Sequence, residues 1–323
     1  MNIHEFKSTL NEWGQNKVPF LFVIDFEMKV PLAWRINEIK EAEIAFDLNG
    51  FSNARPSLSD KKQIQLEKFP IAIAEYETKF DYVKNRLAYG DSFLTNLTIK
   101  TEIKINQSLK ELFRQSKAKY KLWMKDRFLV FSPEIFVQIK NNQIFSFPMK
   151  GTIDASIVDA EKKILSDKKE ISEHVTMVDL IRNDLSLIAS DIQVSRFRYI
   201  DEIKTTGKRL LQVSSEITGK LSPDYSKHIG DLLISLLPAG SISGAPKAKT
   251  LKIIETAERE KRGYYTGVFG YFDGENLDSG VMIRFIEQVD QHFFYRSGGG
   301  ITTQSDLQSE YQEAIDKVYV PID

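Results

Sequence analysis

Apolar positions recur along this chain in two rhythms, one of period two and one of period near 3.6, and the switches between them mark its elements. Residues 18–24 are apolar, with Pro19 near their start and Asp25 just after them, and predict a short buried strand. Residues 53–62 are polar and rich in turn formers, and predict a loop. Tyr76, Phe80, Val83 and Leu87 repeat at helical spacing and Gly90 follows as a stop, so the spacing predicts a helix over 76–89. Strand-like runs come next at 93–105, 119–125, 128–139 and 143–149. Val175, Val178, Leu180, Ile181 and Leu185, set among charges, predict a long helix over 156–187. A strand at 211–218 and helices at 225–237 and 246–258 follow, then Gly-rich strands at 265–272, 279–289 and 292–297 and a last helix over 305–318. Strands in runs, with helices between the runs, argue for an α+β fold of antiparallel sheets.

Composition narrows the class. With 323 residues, 42% of them apolar, the chain can bury a large core as one big domain or two packed ones. Its 44 basic and 45 acidic residues are well mixed, and the lack of a basic stripe argues against nucleic acid as a partner. The start, MNIHEFKSTLNEW, has no apolar run of signal-peptide length, and the stretch Pro19–Ile24 is far short of the ~20 residues that span a bilayer. A soluble cytoplasmic protein away from membranes is the expectation. There is no cysteine, which excludes disulfides, thiolate metal sites and cysteine nucleophiles. Glutamine-dependent ammonia release commonly uses a cysteine, so any ammonia used here must be made by another chain.

Three features carry potential chemistry. Glu170 and Glu173, and likewise Glu310 and Glu313, are three residues apart on predicted helices, so each pair projects from one face. Such hard oxygen donors suit Mg²⁺, although two solvated acidic faces would read the same way. The turns PAGSISGAPK (238–247) and GGGI (298–301) present backbone amides that can hold a carboxylate, or are simply turns; no P-loop spacing is present. Lys150 ends the apolar run FSFPM and precedes Gly151–Thr152. It is either a surface lysine at a strand end or an amine held in a pocket, where desolvation would lower its pKa and make it a nucleophile.

Seven segments together resemble the chorismate-utilising enzymes of the anthranilate synthase component I type. They are GDSFLTNLT (90–98), FSPE (131–134), EHVTMVDLIRNDL (173–185), LPAGSISGAPKAKTLKIIE (237–255), RGYYTGVFGYF (262–272) with the later MIRF, GGGI, and SEYQEAIDK (309–317). They stand in the family's order over about residues 76–318. The resemblance implies a sandwich of mainly antiparallel sheets with outer helices. It divides the chain into a short N-terminal portion, 1–75, packed on a chorismate-binding catalytic domain, 76–323. It implies Mg²⁺ as cofactor, with Glu173 and Glu313 as ligands and Glu170 and Glu310 in support. By the same resemblance Glu134 is the general acid for the hydroxyl on ring carbon 4, with a pKa raised by burial. Arg284 and Tyr265 grip the enolpyruvyl carboxylate, with the amides of Gly298 and Gly300, Lys317 and the hydroxyl of Ser243 also toward the substrate.

Within the family, PMKGT (148–152) resembles the PIKGT motif of aminodeoxychorismate synthase component I, whereas anthranilate synthases carry alanine at the lysine position. The resemblance implies Lys150 as a nucleophile and chorismate plus ammonia as substrates. The product would be 4-amino-4-deoxychorismate, on the way to p-aminobenzoate and folate, with ammonia from a glutamine amidotransferase subunit. Gln212 stands where anthranilate synthases have a His linked to pyruvate elimination. Leu94 replaces the lysine of the hydroxyl-transferring members and also the Gln usual in the aminating ones. The alternatives are anthranilate synthase component I and a non-catalytic chorismate-binding relative. The short N-terminal portion argues against a tryptophan feedback site.

Overall fold

A computed structural model describes residues 1–54, 63–205 and 208–322; most of the loop predicted at 53–62 lies outside them. The apolar run at 18–24 forms the strand Phe20–Ile24, whose five side chains are all buried. Because successive side chains leave a strand on opposite faces, Phe20, Phe22 and Ile24 join Phe6 and Leu10 of the helix Ile3–Gln15 in one core. Leu21 and Val23 turn the other way, into a second core with Leu122, Val130 and Phe269. That second core is the space between two sheets, and burying each such side chain contributes about 1.5–3 kcal/mol.

Each sheet has nine strands among the described residues, and every pairing is antiparallel. The first runs, in spatial order, Met149–Asp154, Lys208–Lys220, Gln143–Ser146, Ile135–Lys140, Leu277–Val281, Val268–Phe272, Phe20–Ile24 and Leu32–Arg35, with Ser190–Thr205 also on Lys208–Lys220. The second runs Gly244–Ala245, Leu94–Ile105, His292–Ile301, Phe285–Val289, Phe128–Ser132, Tyr120–Met124, Ile44–Leu48 and Phe51–Ser52, with Leu66–Phe69 on Leu94–Ile105. The first 54 described residues thus supply strands to both sheets. The helix Lys168–Ser186 packs on the outside of the first sheet through Met177, Val178, Ile181 and Leu185. The helices Ile73–Ala88, Lys247–Glu258 and Leu307–Asp316 cover the second. This is the α+β sandwich with outer helices that the sequence implies. No helix among the described residues is long and apolar enough to cross a membrane.

Several predicted elements are broken in two. The run 128–139 is a strand of the second sheet, Phe128–Ser132, and a strand of the first, Ile135–Lys140, separated at Pro133. The run 279–289 likewise divides into Leu277–Val281 in the first sheet and Phe285–Val289 in the second. The run 143–149 stops at Ser146, and a new strand, Met149–Asp154, begins after Pro148. The helix predicted over 156–187 is two, Ala160–Ser166 and Lys168–Ser186, meeting at Asp167, whose side chain caps the second by accepting from the Glu170 amide.

Candidate active site

The two chain crossings between the sheets lie side by side. The Glu134 carbonyl accepts from the Val281 amide and the Arg284 carbonyl accepts from the Phe131 amide, both at 3.1 Å, so each crossing is tied to the other. Arg284 takes a left-handed φ of 54° there, a conformation that costs a non-glycine residue roughly 1–2 kcal/mol. Both residues open into one cavity of about 590 Å³.

Around that cavity the fold gathers eleven of the twelve residues singled out from the sequence: Glu134, Lys150, Glu170, Glu173, Tyr265, Arg284, Gly298, Gly300, Glu310, Glu313 and Lys317. Lys150 arrives on Met149–Asp154, whose pairing with Lys208–Lys220 shifts register between Met149 and Thr152. Gly151 makes that shift with φ of 81°, and a Cβ there would lie 3.0 Å from Glu170 Oε2, so the position admits only glycine without rearrangement. The Lys150 ammonium donates to Glu173 Oε2 at 2.7 Å. Across the cavity Lys317 donates to Glu313 Oε1 at 2.5 Å and to the Gly298 carbonyl at 2.8 Å. Arg284 Nη1 donates to the Lys317 carbonyl at 2.9 Å, and its guanidinium lies over the Tyr319 ring. The strand His292–Ile301 brings the glycines in as a bare wall: the Cα of Gly299 faces the Glu310 and Glu313 carboxylates, and that of Gly300 faces Leu94 and the Lys150 ammonium.

Ser243 is the exception. It is fully buried outside the cavity lining and its hydroxyl donates to the Ala239 carbonyl at 3.0 Å. Two residues apart on the turn of helix Gly240–Ser243, Ser241 and Ser243 point to opposite sides, and Ser241 is the one that reaches the cavity and bonds to Glu134. Sequence reasoning also passed over Asn96, Thr266, Arg296 and Ser297 in the lining. Asn96, Thr266 and Ser241 sat inside quoted motifs; Arg296 and Ser297 sit just before the glycines. His174 was missed as well. It is fully buried beside Glu173 with Nε2 2.7 Å from the Ser215 hydroxyl, and so anchors the acidic helix to the first sheet. Burial, then the nearby Arg198 and Lys150, push its pKa down to about 4, so it is neutral at pH 7.

The electrostatics divide the titratable groups. Burial holds the Glu134 carboxyl above the usual carboxylate range, against the opposing pull of Ser241, Lys150 and Lys317. Burial raises Tyr265 to about 12, against the lowering pull of Arg262, Arg296 and Arg284 and with a smaller push from Glu258, which keeps its hydroxyl a donor. Lys150 departs from the expected direction. Burial is the largest influence and pushes its pKa down, but the contact with Glu173 and the charges of Glu170 and Glu313 together carry it above the ordinary lysine value.

Mg²⁺, implied by the resemblance, can be tested against the donors present. Four carboxylates line the cavity from two helices, and they are hard oxygen donors of the right kind. Among the described residues no three acidic or imidazole groups already converge as a closed ligand set. The fit therefore rests on the donor chemistry alone, since Mg²⁺ commonly takes one or two protein carboxylates and fills its remaining positions with water and substrate. The residues fit.

The sequence pattern of the chorismate binding enzyme family matches residues 30–323. An uncharacterised PabA-like protein of Pasteurella multocida is 50% identical over 323 residues, covering all of both chains. Aminodeoxychorismate synthase component 1 of Klebsiella aerogenes is 30% identical over 261 residues, 76% of this chain and 56% of that one. Anthranilate synthase component I of Streptococcus pneumoniae superposes with a TM-score of 0.67 at 28% identity, over 78% of this chain and 58% of that one. The chain therefore spans a little over half the length of these two synthases. A match over nine tenths of its residues, together with the assembled cavity, shows that the chain belongs to the chorismate binding enzyme family.

Proposed function

We propose that the chain is an aminating enzyme of the aminodeoxychorismate synthase component I kind, converting chorismate and ammonia to 4-amino-4-deoxychorismate and water. The observation that carries this reading is the Lys150 amine standing inside the cavity, on the side of Glu173 and within electrostatic reach of Glu134. Arg284 and Tyr265 would hold the enolpyruvyl carboxylate, the guanidinium as a planar fork and the phenol as a single donor. Glu173 and Glu313, with Glu170 and Glu310, would hold Mg²⁺. Bound there, the cation would neutralise the ring carboxylate and draw electron density from the ring.

The chain's own residues then act at two ring carbons. The neutral Lys150 amine attacks carbon 2, the ring double bond shifts, and the bond from carbon 4 to its hydroxyl breaks. Glu134, whose carboxyl burial holds above the usual range, gives its proton to that oxygen, which leaves as water. Ammonia next attacks carbon 4, the double bond shifts back, and the Lys150 amine is expelled; the extra proton of the new amine returns to Glu134. Lys150 must lose a proton before it attacks. Burial favours that loss and the neighbouring glutamates oppose it. With no cysteine in the chain, glutamine hydrolysis belongs to an amidotransferase partner in this reading. The deciding experiment is product analysis after incubating purified protein with chorismate, Mg²⁺ and ammonium. 4-Amino-4-deoxychorismate is the expected product; anthranilate, or unchanged chorismate, would overturn the proposal.

A further inference from the structure

Arg262 lies behind the cavity wall, 1% exposed, and every N–H of its guanidinium finds an acceptor. Nε and Nη2 form a fork on Glu258, at 2.9 and 2.6 Å. Nη2 also donates to the Asn96 carbonyl at 2.7 Å, and Nη1 to the Ile242 carbonyl at 3.2 Å and the Thr266 hydroxyl at 3.4 Å. Glu258, itself 2% exposed, accepts from both the amide and the hydroxyl of Thr98 at 2.9 Å.

Apart from Glu258, the acceptors belong to three separate stretches of chain, and each stretch puts residues into the cavity: Leu94 and Asn96; Ser241, Ile242 and Gly244; and Tyr265 with Thr266. The first of them also fixes the glycine wall, since Thr98 pairs with Gly298 and Asn96 with Gly300. One planar fork therefore sets the distance between the Tyr265 hydroxyl, the Ser241 hydroxyl that bonds to Glu134, and the wall opposite Lys150. We infer that Arg262, held by Glu258, is a positioning residue for the chorismate site: its hydrogen bonds set the spacing of three cavity walls and so the grip on substrate. This rests on the cavity being the place where chorismate binds.

A role in stability alone is the competing account, and the two differ in what a substitution does. A buried ion pair adds little net stability over apolar residues of similar volume, because both charges are desolvated. An apolar pair can fill the same space, but it cannot donate to the Asn96 and Ile242 carbonyls together. The test uses Arg262→Lys and the double variant Glu258→Gln with Arg262→Met. The lysine keeps the charge opposite Glu258 but offers donors from a single nitrogen. The double variant removes both charges and keeps an amide oxygen for Thr98, which guards against a misfolded single variant.

Melting temperature, chorismate binding by calorimetry at 25 °C, and kcat and KM with ammonium are measured beside the wild type. The double variant is expected to melt within a few degrees of the wild type while chorismate affinity falls at least tenfold and kcat/KM at least a hundredfold. Arg262→Lys is expected to fall between. Binding within twofold of wild type in a folded double variant would overturn the positioning role. So would losses that match the unfolded fraction at the assay temperature, since a purely structural residue would give that. A wild-type protein that does not bind chorismate would overturn the reading of the cavity beneath it, an outcome separated from the others by the parallel arm.

Discussion

Replacing Lys150 with Met keeps most of the side chain's length and removes the cation 2.7 Å from Glu173. At that distance an effective dielectric near 20 gives a gross attraction of roughly 6 kcal/mol. Neither partner is open to solvent, with 23% of the lysine and 11% of the glutamate side chain exposed. Losing the lysine therefore also removes its own desolvation cost, on the order of several kcal/mol. The net loss comes to about 2–3 kcal/mol. An unfolding entropy of about 2.1 cal/mol/K per residue gives roughly 0.7 kcal/mol/K over 323 residues, so the melting temperature should fall by about 3–4 °C. Calorimetry at pH 7 in EDTA measures it.

The pH dependence follows from the direction of the shift. The folded Lys150 pKa is raised, so the stabilisation is fully present at pH 7, below the unfolded lysine value, and is lost as pH rises through the folded value. The difference between wild type and variant should accordingly shrink only in strongly alkaline buffer. Adding Mg²⁺ should stabilise Lys150→Met more than the wild type, because the cation then meets Glu173 without displacing an ammonium. Equal melting temperatures in EDTA at pH 7 would show that the pair contributes nothing. An equal response to Mg²⁺ would remove Glu173 from the ligand set.

Three further outcomes can be checked directly. Glu134→Gln should lower kcat with ammonium at least a hundredfold and leave chorismate affinity within a few-fold; since the acid form works and its pKa is raised, wild-type activity should fall as pH rises through that value, and an unchanged pH–rate profile in a still-active Gln variant would exclude the acid role. Isolated protein should turn over chorismate with ammonium but not with glutamine, and turnover with glutamine alone would contradict the need for a partner. Gly298→Ala should fail to fold well, its Cβ meeting the Leu97 carbonyl at 2.2 Å, whereas Gly300→Ala, crowding only the end of Leu94 at 2.9 Å and reaching ordinary contact with the Lys150 ammonium at 3.6 Å, should fold and bind chorismate more weakly; circular dichroism and calorimetry separate the two.

The apolar pattern located most elements but not their ends at the site, and the reason is physical. A run such as 128–139 stays apolar while the chain leaves one sheet and enters the other, since both halves are buried: Val130 lies in the core between the sheets and Val137 in the core under the outer helices. Periodicity therefore reads one strand where there are two. The strand Ser190–Thr205 went unread for the opposite reason. Among the described residues it pairs on one side only, with Lys208–Lys220, through three register shifts, and its charges at Arg196, Arg198, Asp201 and Glu202 leave no clean alternation. The first helix carried a legible signal in Asn2 and Glu5, which form a capping box ahead of Phe6 and Leu10.

What the pattern did mark, in retrospect, was where the strands had to break. Pro133 and Pro148 cannot donate to a ladder, so neither fits the interior of a central strand. Each stands within two residues of a group in the cavity, Glu134 after the first and Lys150 after the second. The same break that ends a strand frees the next side chain from the alternation of in and out, and a charged group can then turn into a space between the sheets. Arg284 shows that no proline is needed: its left-handed backbone ends the strand run between Val281 and Phe285 and turns the guanidinium into the same cavity. Spacing alone could not bring these three together. Residues 134 and 284 meet because their crossings are hydrogen-bonded to each other, and Lys150 joins them because Lys208–Lys220 pairs with both Gln143–Ser146 and Met149–Asp154. The motifs named the chemistry one residue at a time, and the pairing of distant strands made a site of it.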